Sequence, residues 1–300
     1  MSSRRTAPAA SGPPTSSPPE GLVLVDKPSG WTSHDVVDAV RRALDTRKVG
    51  HAGTLDPLAT GLLVLGIGRA TRLLRFLSEL EKTYEGTGRL GVETDTLDAE
   101  GSTVHATSVV ATRSDVEAAA AALVGGSMQT PPAYSAVKVG GRPLYRAARR
   151  GEEASAPPRR VFVRTFDVLA FDGSRDFEFR VTCSSGTYVR SLVADVGASL
   201  GCGAHLARLV RTRVGPFSIE DARPPDAPGP PLPIDRAVDH LPRVELSAEE
   251  AVAASHGRIL APAGHDGPYG VFAPDGRLVG VYRDDGAKAR PMVILASSTT

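Results

Sequence analysis

The chain has 300 residues, 41% of them hydrophobic, with 35 Lys and Arg against 34 Asp and Glu; this suggests about two domains with a sizeable core. The near balance of charge excludes a general attraction to polyanions, so any such affinity must come from local basic patches. No apolar run approaches the ~20 residues of a membrane span, and the amino terminus lacks the apolar stretch of a signal peptide. Cys183 and Cys202 fit no metal or disulfide spacing, and the expectation is a reduced cytoplasmic protein.

Residues 1–20 are rich in Ser, Pro and Ala and read as a disordered tail. Gly21 to Pro28 reads as a buried strand; Ser33 then caps a helix with apolar positions Val36, Val37, Val40 and Leu44. Lys27 ends that strand, where it is either a solvated lysine or a functional group. The run His51-Ala-Gly-Thr-Leu-Asp-Pro-Leu-Ala-Thr-Gly61 holds one carboxylate, Asp56, among small and apolar residues. Pro57 keeps Asp56 out of a helix, and Gly53 and Gly61 allow another chain to approach closely. An ionised Asp56 among Leu55, Leu58 and Leu62 needs a cation or several donors, and would otherwise only cap a turn.

Leu62 to Ile67 is a second apolar strand, and Thr71 to Leu80 carries Leu73, Leu74, Leu77 and Leu80 at helical spacing. Gly66 to Thr71 mimics a dinucleotide loop but lacks its third glycine. Lys82 to Gly91, containing Tyr84, alternates as a strand. In the acidic turn Thr94 to Gly101 the carboxylates are expected to bond their own backbone, with too few oxygens for a calcium loop. Ser114 and Glu117 read as a capping box for an Ala-rich helix ending before Gly125.

Thr130 to Arg146 mixes tyrosines with cations, and Lys138 to Arg164 carries eight Lys or Arg against Glu152 and Glu153, a pattern suited to gripping a nucleic-acid backbone. Val161 to Phe171 and Asp176 to Cys183 form a hairpin with Cys183 in the core phase. Ser184 to Leu192 leads into a helix with Tyr188, Leu192, Val196 and Leu200 on one stripe; Arg190 is offset from it, a surface arginine or the cation Asp56 lacks. His205 to Phe217 alternates basic and apolar residues, as a strand bordering an anion would. Ala222 to Pro233 reads as a linker. Beyond it Ser247 and Glu250 cap a helix, and Tyr269–Phe272, Leu278–Tyr282 and Pro291–Leu295 are short strands.

His51 to Gly61, continuing into Leu62-Leu-Val-Leu65, resembles the segment carrying the catalytic aspartate in bacterial tRNA pseudouridine synthases of the TruB type. Further motifs follow in that family's order between Gly21 and Phe217, among them the Pro-x-Tyr-Ser-Ala-x-Lys pattern ending at Lys138. The resemblance implies a mixed α/β (α+β) pseudouridine synthase fold, a largely antiparallel central sheet flanked by helices. It implies a catalytic domain over 21–232 with a basic RNA-contacting insertion at about 127–160, then a small β-rich PUA-like RNA-binding domain over 233–300.

The implied activity is isomerisation of uridine to pseudouridine at position 55 in the T loop of tRNA, by a monomer that needs neither cofactor nor metal. By family position Asp56 is the catalytic carboxylate, as nucleophile or as base for an elimination, and Arg190 is its ion partner. Tyr84 packs on the uracil and helps remove the C5 proton; Tyr188 and Leu209 line the pocket. His51 fills the gap left by the extruded base, and Lys27 is a further substrate-binding position. Val210 departs from the family's paired basic residues, leaving one phosphate contact to Arg208 or to none. Two other readings keep the scaffold: a synthase acting on another RNA, or a tRNA-binding or folding factor without catalysis.

Overall fold

The computed structural model describes residues 19–135, 137–144, 150 and 155–295. The expected tail up to residue 18 and insertion residues 145–149 and 151–154, Tyr145 and Arg146 included, lie outside the described residues. The alternating and apolar runs of the first half become β1 (Gly21–Lys27), β2 (Val49–His51), β3 (Thr60–Ile67), β4 (Lys82–Leu90), β5 (Val92–Thr94), β6 (Thr103–Ala106) and β7 (Gly125–Gln129). Helices α1 (Ser33–Ala43), α2 (Leu74–Ser78) and α3 (Arg113–Ala121) lie between them. The segment expected as an insertion contains a short ribbon, β8 (Lys138–Val139) with β9 (Arg142–Pro143). Then come β10 (Arg159–Phe171), β11 (Asp176–Cys183), α4 (Val189–Ser199), β12 (Ala204–Val214) and β13 (Phe217–Ser218).

Among the described residues the central sheet has nine strands, in the order β1-β3-β12-β4-β11-β10-β7 with β2 beside β3 and β13 beside β12. It is antiparallel except where β3 and β12 run parallel, paired at Val210↔Thr60 and Arg211↔Gly61. β1 from Leu22 to Val25 and β3 from Leu62 to Leu65 are apolar because both their faces are covered. Val36, Val37 and Val40 of α1 pack on one face, and Phe76 and Leu77 of α2 on the other. α3 and α4 cover β4, β10, β11 and β12, where Cys183 is a buried core residue as its phase implies.

A second sheet of four strands, β14 (Arg243–Glu245), β15 (Pro268–Phe272), β16 (Leu278–Asp285) and β17 (Lys288–Ile294), carries α5 (Ala248–Ser255). Its Phe272, Val281 and Val293 share one apolar cluster with Leu22, Leu62 and Leu77, so the terminal unit is packed onto the central sheet.

Several local expectations are corrected. α1 is capped by Thr32, whose hydroxyl accepts from the Asp35 amide at 3.1 Å; Ser33 is turned inward. α3 is likewise capped two residues earlier than expected, by Thr112 with Asp115. In both, a threonine followed by an aspartate three residues on supplies the reciprocal box. Residues 71–80 do not form one helix, since a 3-10 turn over Gly68–Arg72 precedes α2. The segment read as a linker is laced to the edge of β1: Leu22 and Leu232 exchange backbone hydrogen bonds at 3.0 and 2.7 Å, and Arg223 bonds Leu24 and Asp26. A strand edge is thereby covered.

Candidate active site

The loop between β2 and β3 carries Asp56 and is pinned from three elements. From α1, the Ser33 hydroxyl accepts from the Leu55 amide at 2.9 Å and reaches the Leu55 carbonyl at 3.2 Å. From β1, the fully buried Lys27 ammonium donates to the carbonyls of Pro28, Trp31 and Pro57 at 3.0, 2.5 and 3.2 Å. From β12, the buried Arg211 donates to Leu62 O at 2.8 Å, Thr54 O at 3.4 Å and Gly53 O at 3.2 Å, tying both ends of the loop to one guanidinium. Gly61 permits this approach: its φ is +99°, and a Cβ there would meet the Arg211 carbonyl oxygen at 2.5 Å.

With Leu55 and Leu62 turned into the core, the Asp56 side chain points the other way, into an open cleft, and is 48% exposed. The expectation of a carboxylate set among those leucines is corrected accordingly. Its tip meets solvent while the cleft walls enclose the rest of the group. That enclosure, with repulsion from Asp98, holds the carboxyl above its ordinary 3.8 despite the opposing charges of Arg190 and Lys27.

Arg190 stands in the first turn of α4 and is 5% exposed. Its Nη2 is 3.5 Å from Asp56 Oδ2, so the two groups do meet across the fold. The closer carboxylate is Asp98, at 2.9 Å from Nη1; Nη1 also donates to Thr96 O at 3.3 Å and Nη2 to Tyr134 O at 2.6 Å. Asp98 does bond its own turn, accepting from the Thr96 hydroxyl at 2.6 Å and the Glu100 amide at 3.1 Å. It uses its second oxygen on Arg190, which an account of the turn alone does not anticipate.

The cleft, about 350 Å³, brings together Asp56, Tyr84, Tyr188, Arg190 and Leu209, five of the seven expected site residues. Tyr84 on β4 is 8% exposed, and burial pushes its phenol up against the opposing charge of Arg211. Tyr188 caps α4 with its backbone held by Gln129, which accepts from Tyr188 N at 2.8 Å and donates to Tyr188 O at 3.1 Å. The Arg159 guanidinium lies 4.7 Å over its ring.

His51 and Lys27 are not on the cleft wall. Lys27 is spent on carbonyls beneath the loop, and burial pulls its ammonium down to about 8. His51 is half-buried on β2, and burial and Arg211 together lower its affinity for a proton.

Four cleft or near-cleft groups escaped the sequence reading: Asp98, Lys82, Arg159 and Arg211. Lys82 and Arg211 were detectable, because each lies two residues from an expected site residue, Tyr84 and Leu209, and so shares its strand face. Of the basic residues along β12, Arg211 has its charge turned inward and bonded to carbonyls. Asp98 carries no such signal. Among the described residues no group of three His, Cys, Asp or Glu could hold a metal ion, and no helix is long and apolar enough to cross a membrane.

Residues 41–189 match the N-terminal domain of the TruB family of pseudouridylate synthases. Residues 190–224 match a tRNA pseudouridylate synthase B C-terminal domain, and residues 241–296 the C-terminal domain of tRNA pseudouridine synthase II. A tRNA pseudouridine synthase B from Thermobifida fusca strain YX is 49% identical over 291 residues, covering 93% of this chain and 99% of that protein. One from Mycobacterium sp. strain KMS is 48% identical, covering 93% and 97%. Among solved structures, a chain of a Cbf5-Nop10-Gar1 complex superposes with a TM-score of 0.71 at 27% identity, covering 92% of this chain and 85% of that one.

Proposed function

The chain belongs to the TruB family of tRNA pseudouridine synthases and is an isomerase; from that premise we infer that its target is the uridine at position 55 in the T loop of tRNA. The observation that carries the reading is the Asp56 carboxylate 3.5 Å from the Arg190 guanidinium in a cleft walled by Tyr84, Tyr188 and Leu209. Asp56 is the reacting carboxylate, acting on the ribose or the uracil or starting an elimination. Arg190 keeps it ionised and aimed. The N1–C1′ bond breaks, the ring turns over in the cleft, and a C5–C1′ bond forms. These exchanges lie within one molecule and call for no redox partner, cofactor or metal.

The base must leave its stack to reach Asp56, at a cost of roughly a few kcal/mol. Tyr84 then packs on the uracil and assists loss of the C5 proton, while Tyr188 and Leu209 close the other sides. His51 fills the gap in the RNA and does so uncharged, in keeping with its lowered proton affinity. Lys27 serves binding indirectly, by holding the loop at Pro57. The basic insertion and the terminal sheet, PUA-like in this reading, clamp the T arm by its shape and phosphates. The enzyme works as a cytoplasmic monomer.

The test is Asp56→Asn, incubated with an unmodified T-arm stem-loop and assayed for the carbodiimide-stable pseudouridine adduct. Binding with no adduct is expected. Ordinary turnover by a homogeneous sample would remove Asp56 from the mechanism.

A further inference from the structure

Lys82 opens β4 two residues before Tyr84, so the two side chains leave the same face of the strand. Both line the cleft that holds Asp56. Lys82 is 5% exposed. Its ammonium donates to the carbonyls of Ser78 and Leu80, each at 2.6 Å, at the end of α2. An ammonium has three N–H donors, so one remains beyond these two bonds. The groups that weigh on its charge are Arg211 on β12, itself a cation, and the Cys183 thiol on β11; no described carboxylate pairs with it. A buried cation without a counter-ion is costly, and proteins keep such local conflicts where function needs them.

The reaction supplies the missing anion. When N1–C1′ breaks, the electron pair stays with the ring, and the negative charge spreads over N1 and the two carbonyl oxygens of the uracil. A cation fixed beforehand beside that ring stabilises the charge as it develops, without reorganising. Resting on the function proposed above, we propose that Lys82 is a catalytic residue that meets a uracil carbonyl oxygen with its free N–H and stabilises the uracil anion released by glycosidic cleavage. The pair later returns as the C5–C1′ bond forms; C5 then loses its proton and N1 gains one, so substrate and product remain isomers.

Lys82→Gln is the informative variant, because its amide keeps two N–H donors for the Ser78 and Leu80 carbonyls while the charge is gone. Single-turnover cleavage of the glycosidic bond is followed on T-arm RNA carrying either uridine or 5-fluorouridine at the target. Fluorine stabilises the departing anion by itself, so the need for a cation is smaller. The expected result is a loss of about 100-fold on uridine, unchanged RNA affinity, a clearly smaller loss on 5-fluorouridine, and substantial recovery in Lys82→Arg. A wild-type rate in the Gln variant, or an equal deficit on both substrates, would overturn the assignment. If Lys82→Gln does not fold, Lys82→Met gives the same comparison between the two bases. A wild-type enzyme that converts no uridine strikes at the proposed function; an active wild type beside an unimpaired variant strikes at Lys82 alone.

Discussion

Asp98 accepts a hydrogen bond from Arg190 at 2.9 Å, with both side chains 5% exposed. The same guanidinium faces Asp56 at the longer distance of 3.5 Å. Arg190 is therefore held in place by one carboxylate and presented to another. Its planar fork makes this sharing possible, since each terminal nitrogen can serve a different acceptor.

Asp98→Asn is expected to slow the chemical step by about 100-fold, the scale of a misplacement of about 1 Å in a reacting group, while T-arm affinity holds. Single-turnover kinetics beside a binding titration measure the two separately. A wild-type rate would mean that Arg190 keeps its aim without Asp98.

Arg211→Met removes the donor group that ties Leu62, Thr54 and Gly53 together. Orphaned buried acceptors cost about 1–3 kcal/mol each, and loss of the buried charge offsets part of that. A net destabilisation of about 3 kcal/mol is expected, read as an earlier midpoint in denaturant, with faster proteolysis between Gly53 and Gly61. An unchanged midpoint and unchanged cleavage would show that the loop holds itself.

Asp56 makes both stability and activity depend on pH. Its folded-state proton affinity is raised, so the protonated form favours folding below the ordinary value of 3.8, and this contribution is lost as pH rises through the folded-state value. At neutral pH the ionised group is thus a liability to stability. Asp56→Asn should melt higher than wild type there, with the difference closing below 3.8. Wild-type activity should have its acid limb above 3.8 as well, because the reacting form is the carboxylate. A variant that melts lower at neutral pH would contradict the sign.

Periodicity made much of the fold legible. The β10–β11 hairpin, the apolar β1 and β3 and the Ser247–Glu250 cap of α5 all follow from local pattern. Asp56 was legible as an acid stranded among leucines. What the sequence could not reveal is which partner a polar side chain finds across the sheet. Lys27 was placed at the substrate by motif, yet its ammonium is consumed by three carbonyls. Asp98 sits in a turn that explains only one of its oxygens. Such choices depend on strands brought together by the sheet order, and no local window contains them.

The place of β12 between β3 and β4 bears on how the molecule comes into being. Its neighbours leave the ribosome long before it does, so the parts of the sheet on either side cannot be joined until it is made. Arg211 arrives with that strand, and only then is the loop bearing Asp56 fastened at both ends. Competence for the reaction is thus acquired late in synthesis, in the same event that closes the sheet.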